Sequence, residues 1–238
     1  MGADQHIQWH DAAASALEWW QDAGVDTLVE DELRDWFATP APPVRPLAVA
    51  STPPADLPPD TLDPFLTWRL GDRAPEAGWN AVRVPVAARK NPPLMILTDL
   101  PEADDSVEGG WMTGPVGALL DRMLAAIGET RDDVVVAGIA LARPLTGRVP
   151  ADAQDRLDDL ARRLVTLVAP ARLLLFGAEP CRALLGPDGQ RGGLRTLNHD
   201  GLTCPTIATF HPRFLLERPL AKAETWRHLQ LLIRDTTT

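Results

Sequence analysis

From residue 94 onward, short apolar runs alternate with segments of helical periodicity. Continuous apolar stretches of strand length occur at 94–98, 134–138, 173–176 and 206–210. Helical segments follow them in turn, at 116–127, 157–168, 181–185 and about 220–233. In the first, Val116, Leu119, Leu120, Met123, Leu124 and Ile127 recur at three- and four-residue steps, which puts them on one helical face. Strands that are apolar throughout are covered on both faces, and parallel neighbours need helical crossovers. The pattern therefore predicts an α/β fold, a three-layer α/β/α sandwich around a mostly parallel four-stranded sheet. Ligands of such sheets bind beyond the carboxyl ends of the strands, here 98–105, 138–144, 177–181 and 211–216.

The chain ahead of this is organised differently. Ala14, Leu17 and Trp20 share a helical face, residues 32–37 suit a second short helix, and Gly24 separates the two. Between 40 and 64 there are nine prolines in twenty-five residues, which predicts a stiff, extended linker. Three parts are expected: an acidic helical segment at 1–39, a linker at 40–64 and an α/β domain at 65–238. The formal charge of −10 is concentrated in the first part, where nine acids meet one base. An acidic chain argues against nucleic-acid binding in general, since phosphate affinity rests on Lys and Arg. The remainder is close to neutral, and 206–234 carries five bases against two acids. No apolar run approaches the ~20 residues that span a membrane, and the N-terminus lacks the basic and apolar regions of a signal peptide. Two cysteines, Cys181 and Cys204, are too few for a disulfide framework or a cysteine-built metal site, so a reduced, cytoplasmic protein without metal is expected.

Two strand ends carry candidate chemistry. Asp99 follows the first strand, where a carboxylate suits a site and equally suits a turn cap. Asp104, Asp105 and Glu108 read as a solvated acidic loop. At the last strand end, His211 precedes Pro212, which holds it extended and aims it into the same crevice. Phe214, Leu215 and Leu216 then form an apolar tip beside Arg213, or tuck into the core. No glycine-rich phosphate loop is present, which places a small-molecule or nucleotide-binding domain behind the other readings.

Three runs, GPVGALLDRMLAAIG, LLLFGAEPCRALLG and ATFHPRFLLERPLAKAETWRHL, resemble the bacterial iron–sulfur (family 4) uracil-DNA glycosylases. The resemblance spans about 94–231, and the His211–Leu216 element HPRFLL carries most of it. It implies a uracil-DNA glycosylase-like fold and an enzyme of DNA repair that flips a damaged base out of DNA and hydrolyses its N-glycosidic bond. Asp99 and His211 would be catalytic, the carboxylate with its water opposing positive charge on the sugar and the imidazole donating to the leaving base. Thr98, Leu100, Pro101, Met112 and Gly138 would line the base pocket. Arg213, Phe214, Leu215 and Leu216 would meet DNA, with the two leucines as the wedge.

The departures from the family matter as much. Against its GEAPG motif the chain reads Thr98-Asp99-Leu100-Pro101-Glu102, so both glycines are lost and the surface narrows. Met112 stands at the stacking aromatic and Gly138 at the base-reading asparagine. Cluster cysteines are absent: one becomes Ala142, and the N-terminal pair gives way to the linker and WRLGDRAPEAGW, so no cofactor is expected. Trp68, Trp79 and Trp111 are expected to supply packing instead. The alternative is a catalytically inactive relative that binds DNA or protein, its acidic segment docking on a basic protein partner.

Overall fold

The computed structural model describes residues 57–187, 189 and 191–234, together with Ala14, Ser15, Glu18 and Trp19. The chain divides into two compact units, Met1–Thr52 and Pro53–Thr238. In the first, the four described residues are helical and exposed. The remainder of segment 1–39 and of the linker as far as 56 lies outside the described residues. In the second unit, α1 (Leu62–Leu70) begins within the last residues of the proline-rich stretch. Pro64 falls in its first turn, where a missing N–H costs nothing.

Five strands form the sheet: β1 (Leu94–Thr98), β2 (Val134–Gly138), β3 (Leu173–Phe176), β4 (Leu194–His199) and β5 (Leu202–Thr209), in the order β2-β1-β3-β5-β4. The first three and β5 run parallel, and β4 pairs antiparallel with β5 at the edge. The sheet thus has one strand more than the four expected. Strand β4 is exposed at most positions because it pairs on one side only, and Leu197 is its one buried residue. Its signal was local: Asp200-Gly201, both at positive φ, make the tight turn between β4 and β5.

Helices α2 (Gly114–Ala126), α3 (Ala151–Val168), α4 (Ala178–Leu185), α5 (Pro212–Glu217) and α6 (Lys222–Arg234) complete the domain. Side-chain alternation sorts β1 between two cores. Met95 and Leu97 pack with α1, α3 and α4 through Phe65, Leu157, Leu164 and Ala183. Leu94 and Ile96 pack with α2 and α6 through Leu120, Leu124, Leu229 and Leu232. Trp68 and Trp111 are buried in the first core, and Trp79 packs against it. The chain leaves β1 toward β2 on one side and reaches β3 on the other. The switch point therefore falls at the carboxyl end of β1, beside Asp99. No helix among the described residues is long and apolar enough to cross a membrane.

Candidate active site

At the end of β1, Thr98 is fully buried and Asp99 half-buried. Asp99 Oδ1 accepts from the Leu100 N–H at 2.8 Å and from the Thr98 hydroxyl at 3.1 Å. Its second oxygen has no hydrogen-bond partner among the described residues. The Asp99 carboxylate thus caps its own turn and still keeps an open acceptor.

His211 arrives from β5. It is extended (φ −65°, ψ 140°) as the residue before a proline must be, and it caps the N-terminus of α5. Its Nδ1 accepts from the Arg213 N–H at 3.1 Å. A neutral ring must then carry its proton on Nε2, which lies 3.0 Å from Thr98 Oγ1. The resulting relay runs His211 Nε2–H to Thr98 Oγ1, and Thr98 O–H to Asp99 Oδ1. Burial pushes the His211 pKa down, Arg213 adds to this, and Asp99, Glu102 and Asp105 oppose it. The neutral imidazole is favoured. The two candidate catalytic residues are therefore joined through one buried hydroxyl.

The acidic loop is more ordered than a solvated run. Asp105 accepts from the backbone of Glu102, Met112 and Thr113 and from the Thr113 hydroxyl, at 2.7–2.9 Å. Asp104 and Glu108 are exposed. Glu102 folds inward: it takes a bidentate pair from Arg213 at 2.6 and 3.0 Å and lies 3.5 Å from His211 Nε2. The narrowing expected from Glu102 thus takes the form of a latch between the β1 loop and α5. Arg213 is engaged by that latch. Pro101 is buried, and its carbonyl accepts from Arg143 at 2.9 Å.

Met112 and Gly138 do not line an open pocket. Met112 is 1% exposed and packs in the α2 core, in a left-handed conformation (φ 53°). Asp105 holds its N–H, and Arg131 donates to the carbonyls of Trp111 and Met112 at 2.7 and 2.8 Å. This clamp lays the Trp111 indole over Gly138, with its Nε1 donating to Pro85 O at 2.9 Å. A Cβ at Gly138 would meet two Trp111 ring carbons and the Ala140 carbonyl at 2.6 Å. Trp111, which sequence reasoning assigned only to packing, therefore fills the place of a side chain at 138.

The apolar tip is also redrawn. Leu215 is 1% exposed and belongs to the core, whereas Phe214 and Leu216 are 40% and 41% exposed. The tip is helical, because Pro212 at N1 and the His211 cap start α5. Position 215 faces inward from that helix. Beside Asp99 opens a cavity of about 370 Å³, lined also by Leu100, Ile139, Val149, Gln154 and Glu179. It gathers the ends of β1, β2 and β3; Glu179 falls within the expected strand end at 177–181, whereas Gln154, from α3, lies outside all four. A wider groove of about 830 Å³ along α1 has none of the candidate residues in its lining.

A [4Fe–4S] cluster, which the iron–sulfur resemblance implies, does not fit these residues. Within the segment standing in for the N-terminal cysteines, Arg69 and Glu76 form a buried ion pair at 2.5 Å. Arg69 also donates to Ile139 O, and Glu76 accepts from the Leu141 N–H, both at 3.0 Å. Ala142 beside them is buried and offers no ligand. Cys181 and Cys204 lie in α4 and β5, and burial pushes both thiols up, Cys204 to about 11, away from the ligating thiolate. No group of three metal-binding side chains occurs among the described residues.

A mostly parallel α/β sheet, with a carboxylate ending its first strand and a histidine-proline step ending its last parallel strand, defines a known class. Residues 85–230 match the uracil DNA glycosylase superfamily, and the chain belongs to it. Among its relatives is a type-4 uracil-DNA glycosylase of Archaeoglobus fulgidus, 23% identical over 150 residues that cover 59% of this chain and 75% of the relative.

Proposed function

We propose that this protein is a DNA glycosylase of altered specificity, which hydrolyses the N-glycosidic bond of a damaged base flipped out of DNA. The observation that carries this reading is the Asp99–Thr98–His211 relay at the sheet's switch point. Bond cleavage develops positive charge on the sugar and negative charge on the departing base. The Asp99 carboxylate answers the first and orients a water. His211, neutral and carrying its proton on Nε2, answers the second once a substrate oxygen or nitrogen replaces Thr98 as its acceptor. Phe214 and Leu216 form the apolar tip that would fill the space left by the flipped base. The test is alkaline cleavage of oligonucleotides carrying uracil, hypoxanthine, xanthine or N-methylated adenine after incubation with the protein. Cleavage of one of these strands, reduced about 10²–10⁴-fold by His211→Ala and by Asp99→Asn, supports the reading. Absence of cleavage of any strand refutes it.

One observation favours a second reading, an inactive relative that binds DNA or protein. The Glu102–Arg213 latch ties down the cation that precedes the tip in sequence. On this reading Glu102→Ala frees Arg213, tightens binding to plain duplex DNA and steepens its salt dependence. Salt-sensitive binding with no cleavage of any lesion would select it. The acidic segment 1–39 suits a basic protein partner on either reading.

A further inference from the structure

Behind the apolar tip, the end of β5 carries an aromatic stack. Phe210, the residue before His211, lies parallel to Phe214 of α5, with ring centres 5.1 Å apart and planes 14° from each other. The Arg191 guanidinium stands 4.7 Å from the Phe210 ring centre, and the His228 ring lies 6.4 Å away at 21°. This backing is fixed. His228 Nδ1 is 2.9 Å from the Thr209 hydroxyl, and the Gly192 N–H donates to Ala208 O at 3.0 Å, which sets Arg191 beside the strand end. Gly192 packs so closely that a Cβ there would meet His228 Nε2 at 2.6 Å. Phe210 is half-buried and His228 buried, so Phe214, 40% exposed, is the ring of the stack that faces solvent.

Two further features decide what such a ring can meet. Leu215 lies in the core and cannot be driven between paired bases, which leaves Phe214 and Leu216, each more than half covered by the domain. Extruding a base from a duplex costs pairing as well as stacking, and the cost is least where the base is already unpaired. The cations are also divided. Arg213 is engaged by Glu102, whereas Arg191 and Arg218 are exposed and form no ion pair among the described residues. A single strand offers flat base faces to the ring and spaced phosphates to these guanidinium groups. A closed duplex offers the phosphates alone.

We infer that Phe214, backed by Phe210 and Arg191, is a stacking platform for an unpaired base, and that the DNA this domain takes is single-stranded. The inference rests on reading DNA as the substrate. In a single strand the ring takes the place of the base drawn into the site and stacks on its neighbour, so no partner strand has to be opened. Arg191 keeps its flat face on Phe210 and turns its N–H edge to a phosphate. Every base has a flat face, so the platform supplies affinity without reading sequence.

Fluorescence anisotropy of the full chain with labelled oligonucleotides of one length tests this directly. The probes are a DNA single strand, its duplex, and a strand whose sugars carry no bases. At one salt concentration the single strand should bind at least about fivefold more tightly than either of the others. Phe214→Leu removes the flat face and keeps the apolar character. It should weaken single-strand binding by about fivefold or more and leave the base-free strand unchanged. A variant that only loosened the fold would weaken both strands together, and Phe214→Trp should keep the full affinity. Arg191→Gln should weaken both strands and lower the salt slope by about 0.7. Duplex or base-free binding as tight as single-strand binding overturns the inference, as does failure to bind any probe. So does a Phe214→Leu variant that loses nothing, or loses equally on both strands. The cleavage assay separates this from the glycosylase reading. Single-strand binding with no lesion cleaved sinks that reading and leaves this one standing. Cleavage of a lesion in duplex DNA in preference to the same lesion in a single strand does the reverse.

Discussion

His211 has its protonation written by its neighbours. The Arg213 N–H claims Nδ1, so the neutral ring carries its proton on Nε2 and points it at Thr98. Nitrogen-15 NMR of the imidazole should show this tautomer near neutral pH, and Thr98→Val should alter the His211 signals without moving the proton to Nδ1. Gly138 is dictated just as locally. Gly138→Ala puts a methyl group 2.6 Å from the Trp111 ring and from Ala140 O, and should cost about 1–3 kcal/mol in chemical denaturation. Combining it with Trp111→Ala should cost less than the sum of the two changes, with the Ala140 carbonyl keeping part of the penalty. The sequence marked position 138 as the loss of a base-reading amide. It could not show that an indole had moved into the space, because residues 111 and 138 meet only through the Arg131 and Asp105 clamp.

The segment from α1 through the following 3-10 turn, Pro75–Trp79, is joined to the β2 loop by Arg69 and Glu76. Both side chains are almost fully buried, and Arg69 Nη1 and Glu76 Oε2 lack partners among the described residues. Glu76→Leu alone strands the guanidinium and should cost about 3–5 kcal/mol in denaturant unfolding. The double change Arg69→Met/Glu76→Leu should cost less, because the stranded charge leaves with its partner. Neither residue stands out in the sequence, where WRLGDRAPEAGW offers only its two tryptophans as packing residues. Strand β4 was hidden for a related reason: an edge strand need not be apolar, and Leu194–His199 shows one buried position in six. The central strands were legible because both their faces are buried. Helix α5 was partly legible: His-Pro announces its start, but only the helix shows that Leu215 turns inward while Phe214 and Leu216 stay exposed.

For the whole domain, pH is the natural probe. Burial pushes both His211 and His228 below their ordinary value of 6.5. As pH falls through about 6.5 the unfolded chain takes up these protons first, so it binds more protons than the folded one. Stability should therefore fall as pH drops from about 7.5 toward 5.5, and rise again on return. His211→Ala and His228→Ala should each flatten that slope in denaturant titrations, whatever they do to stability at pH 7.5. The formal charge of −10 belongs at this scale as well. Most of it lies in segment 1–39, so it does not bar DNA from the superfamily domain. Within that domain, Asp105 and Glu102 are absorbed into the loop's own hydrogen bonds and ion pairs.

The sequence alone determined the α/β class, four of the five strands, the superfamily resemblance and the two strand ends that carry Asp99 and His211. It could do so because these features are local: apolar runs, helical spacing and a histidine beside a proline are written in consecutive residues. The relay through Thr98, the Glu102–Arg213 latch, the indole over Gly138 and the Arg69–Glu76 pair each join residues distant in the chain or depend on side-chain direction. Tertiary packing settled them, because only packing decides which of many charged and aromatic side chains meet, and which hydrogen-bonding groups are left to face a ligand.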